Sequence, residues 1–236
     1  MNKNNLVLVV VGAIIVLGLV FFLNRSEQST GDAVSSENNS ENNSVENVEI
    51  VAPADGSYEV SATESLVNWE GRKPKIVGYT DSGTLMLKSG NLQLENGVPT
   101  SGELVLDMTT LTTTKVAKGG VDGLTRHLKS EDFFNVENFP EATIKLISAQ
   151  PSLASSGAAG MYDLETEITI KGITNIVVLP ATVNQENNQA VISGHAELDR
   201  TLWDIRFGSG KFFEDLADNV IDDNFGVDFR FVANLK

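Results

Sequence analysis

The strongest constraint on this chain lies in its last twelve residues, where Phe225, Val227, Phe229, Phe231, Ala233 and Leu235 alternate with Gly226, Asp228, Arg230, Val232, Asn234 and Lys236. A period of two puts one apolar and one mostly polar face on an extended strand and is incompatible with an amphipathic helix. The same period recurs at Leu104, Leu106 and Met108, at Ala142, Ile144 and Leu146, and at Leu164, Thr166, Ile168 and Ile170. Further strands are expected over residues 58–70, 76–88, 90–95, 98–107, 175–183 and 190–199, eight or nine in all. Asn96-Gly97 supplies a two-residue turn between two of them, because both residues accept positive φ; Gly172 reads as a second hairpin turn. Short turns imply antiparallel pairing. Periodicity is equally satisfied by a closed barrel and by a two-sheet sandwich.

Composition narrows the function classes. The 236 residues include no cysteine, so stability must come from packing and strand pairing, without disulfides or thiolate-bound metal. Seventeen basic against 32 acidic residues give a net charge of −15, which opposes binding to nucleic acid or to an anionic membrane surface.

The N-terminal part is organised differently. Residues 6–23 are eighteen positions without a charge. As a helix they would reach about 27 Å, close to the hydrocarbon thickness of a bilayer. No small-x-small cleavage site follows at Phe21-Phe22-Leu23-Asn24-Arg25, so residues 1–25 read as a retained transmembrane signal anchor; the competing reading is a cleaved secretory signal. Residues 26–50, rich in serine, asparagine and glutamate, read as a disordered tether. Residues 51–236 remain for one β domain, a suitable size for a single core.

Three clustered motifs go beyond patterning. The first runs Thr125-Arg126-His127-Leu128-Lys129-Ser130-Glu131-Asp132-Phe133-Phe134-Asn135-Val136-Glu137-Asn138-Phe139-Pro140. The second is Leu164-Glu165-Thr166-Glu167-Ile168-Thr169-Ile170-Lys171-Gly172-Ile173-Thr174, and the third Arg200-Thr201-Leu202-Trp203-Asp204-Ile205-Arg206-Phe207-Gly208. Ser130 is placed to cap a short helix whose first turn carries Glu131 and Asp132. Pro140 ends that crossover before the next strand. In this order the motifs resemble the YceI-like family, over roughly residues 57–236. The resemblance implies an all-β, antiparallel, lipocalin-like barrel with a short helical crossover, holding an isoprenoid or similar lipid in its interior on the extracytoplasmic side. It carries no catalytic residue. Ile176 stands where the family often has proline, and Asp204 where glycine is usual.

Candidate ligand-contacting walls are Leu104, Leu106, Phe134, Ile144, Leu146, Ile168, Phe225, Val227, Phe229 and Phe231, all on apolar strand faces except Phe134, which lies in the crossover. Arg126, Trp203 and Arg206 are the candidates for a polar mouth, each equally readable as a surface ion pair or a core-edge aromatic. His127 and His195 lack metal-site spacing, Gly208-Ser209-Gly210-Lys211 lacks the remaining residues of a phosphate loop, and no G-x-S-x-G occurs. Catalysis, metals and cofactors are therefore not expected. The expected partners are an isoprenoid or other long-chain lipid and the membrane, with nucleic acid excluded and a homodimer left open. Two functions fit: a membrane-tethered extracytoplasmic lipid carrier, periplasmic or at the cell surface, or a non-enzymatic interaction module whose barrel is filled by its own side chains.

Overall fold

Three tight turns organise the sheet. Asn96-Gly97, Lys171-Gly172 and Asn187-Asn188 all hold positive φ, between 49° and 74°. Each joins consecutive antiparallel strands, as a turn whose twist matches that of its strands should. The computed structural model describes residues 50–153 and 159–236. The expected anchor at 6–23 and tether at 26–49 lie outside them; among the described residues no helix is long and apolar enough to cross a membrane.

The described residues form nine strands: β1 (Gly56–Val60), β2 (Leu66–Arg72), β3 (Thr80–Glu95), β4 (Val98–Lys115), β5 (Glu141–Pro151), β6 (Met161–Ile170), β7 (Ile173–Glu186), β8 (Gln189–Asp199) and β9 (Asn224–Leu235), with one α-helix, α1 (Val121–Lys129), between β4 and β5. From β3 to β9 each strand pairs antiparallel with the next. β1 and β2 both pair with β3 on one side and β9 on the other, so the two occupy one position and close an eight-position barrel. Closure removes free edges.

The single strand expected at 58–70 is thus interrupted. Residues 61–65 turn out of the ladder, and the buried Ser65 hydroxyl accepts from the Val232 amide at 3.0 Å, replacing the bond the turn removes. The strands expected at 76–88 and 90–95 are one, β3, whose register shifts against β4 accommodate bulges.

The helix also departs from expectation. Ser130 ends α1, its Oγ donating to the His127 carbonyl at 2.7 Å, and Glu131 and Asp132 follow in turns. Leu124 and Leu128, one turn apart, pack inward, while Arg126, His127 and Lys129 occupy the last turn, where the helix dipole favours cations. The acidic pair after Ser130 suggested a helix start; the basic residues before it mark the end.

Core side chains come from the inward parity of the strands, including Leu94, Val183 and Ala190 at one end of the barrel and Leu198 at the other, where Trp203 and Ile205 from the segment between β8 and β9 join them. On β9, Phe229, Phe231 and Ala233 are buried, whereas Leu235, expected on the same face, is half exposed where the strand runs out.

Candidate functional site

Within the barrel lies a cavity of about 400 Å³. Its size falls in the range of small-molecule sites. The walls are apolar, and α1 with the crossover behind it roofs part of the cavity through Leu124, Leu128, Phe133 and Phe134. The polar groups gather at one end, where the end of β2 brings Arg72, the β2–β3 turn Lys73 and Tyr79, the start of β3 Asp81, α1 His127, and the segment between β8 and β9 Arg200 and Asp222.

Eight residues singled out from sequence stand on this wall: Leu106, Phe134, Ile144, Ile168, Phe225, Val227, Phe229 and Phe231. Leu104 and Leu146 border a second, smaller cavity of about 60 Å³ instead, with Ile144, Phe229 and Phe231 shared between the two.

The three candidates for the mouth are elsewhere. Arg126 is exposed on the outer side of α1, its Nε 3.4 Å from the Asp122 carbonyl. Arg206 pairs with Asp204 at 2.5 Å and lies over the Phe212 ring on the surface. Trp203 is fully buried and donates its indole N–H to the Ile168 carbonyl at 3.1 Å, a core-edge role away from the cavity wall. Asp204 next to it has φ 56° and ψ 33°. That left-handed conformation accounts for the fit of glycine there, and aspartate is among the residues that tolerate it.

Arg200 does the organising work at this end. It is 4% exposed and donates to the carbonyls of Asp222 (2.9 Å), Ile205 (2.8 Å), Phe207 (2.9 Å) and Ile221 (3.2 Å), with Asp223 Oδ1 at 3.4 Å. Burial lowers its pKa, and Asp223, Asp199 and Asp222 oppose that shift. The guanidinium thereby pins the segment between β8 and β9, which carries Ile205, Phe207 and Ile221 to the cavity. Sequence reasoning missed it; an arginine that closes an apolar strand and precedes a tryptophan was the available signal.

The remaining mouth groups are less buried than Arg200. Arg72 bonds Glu70 at 2.8 Å and Glu197 at 2.6 Å on the barrel surface, and both partners raise its pKa. Lys73 stands 5.1 Å from the centre of the Tyr79 ring. Burial, then Asp81, pushes the Tyr79 phenol up, so it remains a hydrogen-bond donor at neutral pH. His127 meets Phe133 and Phe207 edge-on, at 5.0 and 4.6 Å. His195 sits on β8 beside Asp228 and Glu197 and does not line the cavity. Among the described residues no cluster of three metal-binding side chains forms.

The model of the YceI-like domain matches residues 58–233, nearly the whole barrel. The chain belongs to the YceI-like family. Two solved structures are similar to this YceI-like barrel. BcnA of Burkholderia cenocepacia is 17% identical, with a TM-score of 0.54, over 74% of this chain and 99% of that one. A polyisoprenoid binding domain from Saccharophagus degradans, implicated in plant cell wall breakdown, is also 17% identical, with a TM-score of 0.57, over 76% and 98%. At that identity the likeness is one of fold. No curated protein matches the chain.

Proposed function

We propose that this YceI-like protein is a non-enzymatic lipid carrier or scavenger that takes an isoprenoid or comparable amphiphile tail-first into its barrel. The carrying observation is the cavity of about 400 Å³ with apolar walls and polar groups confined to one end. By the measured cost of about 24 cal/mol per Å³, leaving such a space empty would sacrifice about 10 kcal/mol of packing, comparable to the whole stability of a domain. An aliphatic tail recovers that loss at about 0.8 kcal/mol per methylene. A barrel filled by its own side chains would have no reason to keep the space. The polyisoprenoid binding named for the Saccharophagus domain supports the same ligand chemistry.

The proposal includes location. Residues 6–23 anchor the protein in a membrane and residues 26–49 tether the barrel on the extracytoplasmic side, supported by the length of the uncharged run and by the missing cleavage site.

Native mass spectrometry and solvent extraction of the full-length protein, purified from more than one host, test the carrier. Co-purifying or exchangeable long-chain lipid is expected; a ligand-free protein that takes up no isoprenoid, quinone or fatty amide ends the proposal. Carbonate washing should leave the chain in the membrane pellet, and external protease should release an intact barrel. A soluble mature protein starting near residues 24–30 would establish cleavage instead.

A further inference from the structure

The two cavities share part of their lining. Phe229 and Phe231 border both the 400 Å³ chamber and the 60 Å³ chamber, together with Ile144 and Leu179. The two rings stack at 5.5 Å with 21° between their planes, and both are almost wholly buried. The neighbouring strand leaves room for the first of them. Gly194 pairs with Phe229 across the β8–β9 ladder, and a Cβ at 194 would stand 2.2 Å from the Pro180 carbonyl oxygen and 2.6 Å from Phe229 Cζ, so backbone and ring together fill the space a side chain would take. We propose that Phe229 and Phe231 form the floor of the lipid site and set the length of the chain it accepts. This inference rests on the lipid-carrier reading above.

The volume gives the length. At about 30 Å³ for each water-sized group, a chamber of about 400 Å³ takes on the order of a dozen carbons, roughly two to three isoprene units. A tail that fills the chamber from the floor brings its head to the polar end, where Lys73 and Tyr79 are among the groups able to donate to a hydroxyl, carbonyl or phosphate oxygen. A much longer tail stops at the same floor and holds its head beyond them. The occupant is therefore a medium-length isoprenoid or acyl chain with an oxygen-bearing head. Below the floor, the β4–β5 ladder covers only Glu103–Lys145 to Asp107–Glu141, and Leu104, Leu146 and Leu164 line the small chamber beside its end. Removing either ring joins that chamber to the main one and lengthens the site.

The test uses full-length protein in dodecyl maltoside with an equimolar mixture of geraniol, farnesol, geranylgeraniol and solanesol, and native mass spectrometry reads which prenol is retained. Each methylene left in water outside the chamber costs about fourfold, and solanesol leaves more than two there, so farnesol should exceed solanesol by at least about tenfold in the parent protein. Phe231→Ala and Phe229→Ala should move the maximum to geranylgeraniol, and Phe231→Leu should move it partway with less disturbance of the fold. Ala196→Leu, which narrows the main chamber without touching the floor, should move it toward geraniol, and this variant decides the matter if the ring deletions fail to melt cooperatively. Equal retention of farnesol and solanesol by the parent, or an unchanged maximum in cooperatively folded variants, overturns the length-setting floor while the carrier stands. Retention of no prenol by any of these proteins removes the carrier reading itself.

Discussion

Replacing Arg200 by leucine should unlock one end of the barrel. The side chain is 4% exposed and its guanidinium serves four backbone carbonyls from residues 205 to 222 together with Asp223. Leucine occupies part of the volume but leaves those carbonyls without their donor, and removes one of the two cations beside the 15% exposed Asp223 side chain, the other being Lys211 at 3.4 Å. Breaking a buried ionic network by removing one partner costs about 3–5 kcal/mol. In a domain of this size each kcal/mol moves Tm by about 2–4 °C, so the midpoint should fall by roughly 6–20 °C. Urea unfolding gives the cleaner reading: Cm should drop with the slope unchanged, since the surface exposed on unfolding is nearly the same. Arg200→Lys should fall between the two, because an ammonium cannot span carbonyls that the planar fork reaches from three nitrogens. Lipid retention should suffer more than stability alone predicts, since Ile205, Phe207 and Ile221 reach the cavity on the segment Arg200 holds. A loss below about 1 kcal/mol for the leucine variant would refute the assignment of Arg200 as the staple.

Three other substitutions test separate parts of the argument. Trp203→Phe removes the donor to the Ile168 carbonyl from a fully buried site and should cost about 1–3 kcal/mol in urea unfolding. Gly97→Ala places a Cβ 2.8 Å from that of Ala52 at φ 71°, and should cost about 1–3 kcal/mol with no change in lipid retention. At Asp199 burial works to raise the pKa, but hydrogen bonds from Lys211 and from the Thr201 hydroxyl and amide outweigh it and hold the carboxyl below its usual range. A depressed folded-state pKa gives stability that is complete above about pH 4 and is lost as pH falls through the folded value. Asp199→Asn should therefore flatten the acid limb of Cm against pH below about pH 4, and an identical limb in both proteins would show that the carboxylate contributes nothing there.

The barrel was legible because its two signals are local. Alternation fixed the inward parity of β5, β6 and β9, and Asn-Gly at residues 96–97 fixed the pairing at the tip of the β3–β4 hairpin, Glu95 with Val98 and Leu94 with Pro99, before the first register shift. The Asn187-Asn188 turn carries the same conformational preference and was there to be read. What escaped was non-local. The interruption between β1 and β2 depends on Ser65 reaching Val232, 167 residues away, and no window around Ser65 contains that information. The extent of α1 turned on which charged cluster marks which end, and the side chains of Arg126, His127 and Lys129 outweighed the capping potential of Ser130.

The site was legible by face but not by depth. Parity puts Leu104, Ile144, Leu146, Phe229 and Phe231 inward without saying how far each lies along the barrel axis, yet depth decides which of two chambers a residue meets. The rim was harder still. Arg126 and Arg206 have the chemistry of a mouth, but one is exposed on α1 and the other is drawn into an ion pair with Asp204, while Lys73 and Tyr79 come from a turn whose residues follow no strand period. Position along the axis is set by strand stagger around the closed barrel, a property of all eight positions together. The same stagger brings Phe229 opposite Gly194. A binding depth in this fold is thus a consequence of closure, and substitutions that alter stagger, such as removal of a bulge between β3 and β4, should change chain-length preference without touching a single residue of the wall.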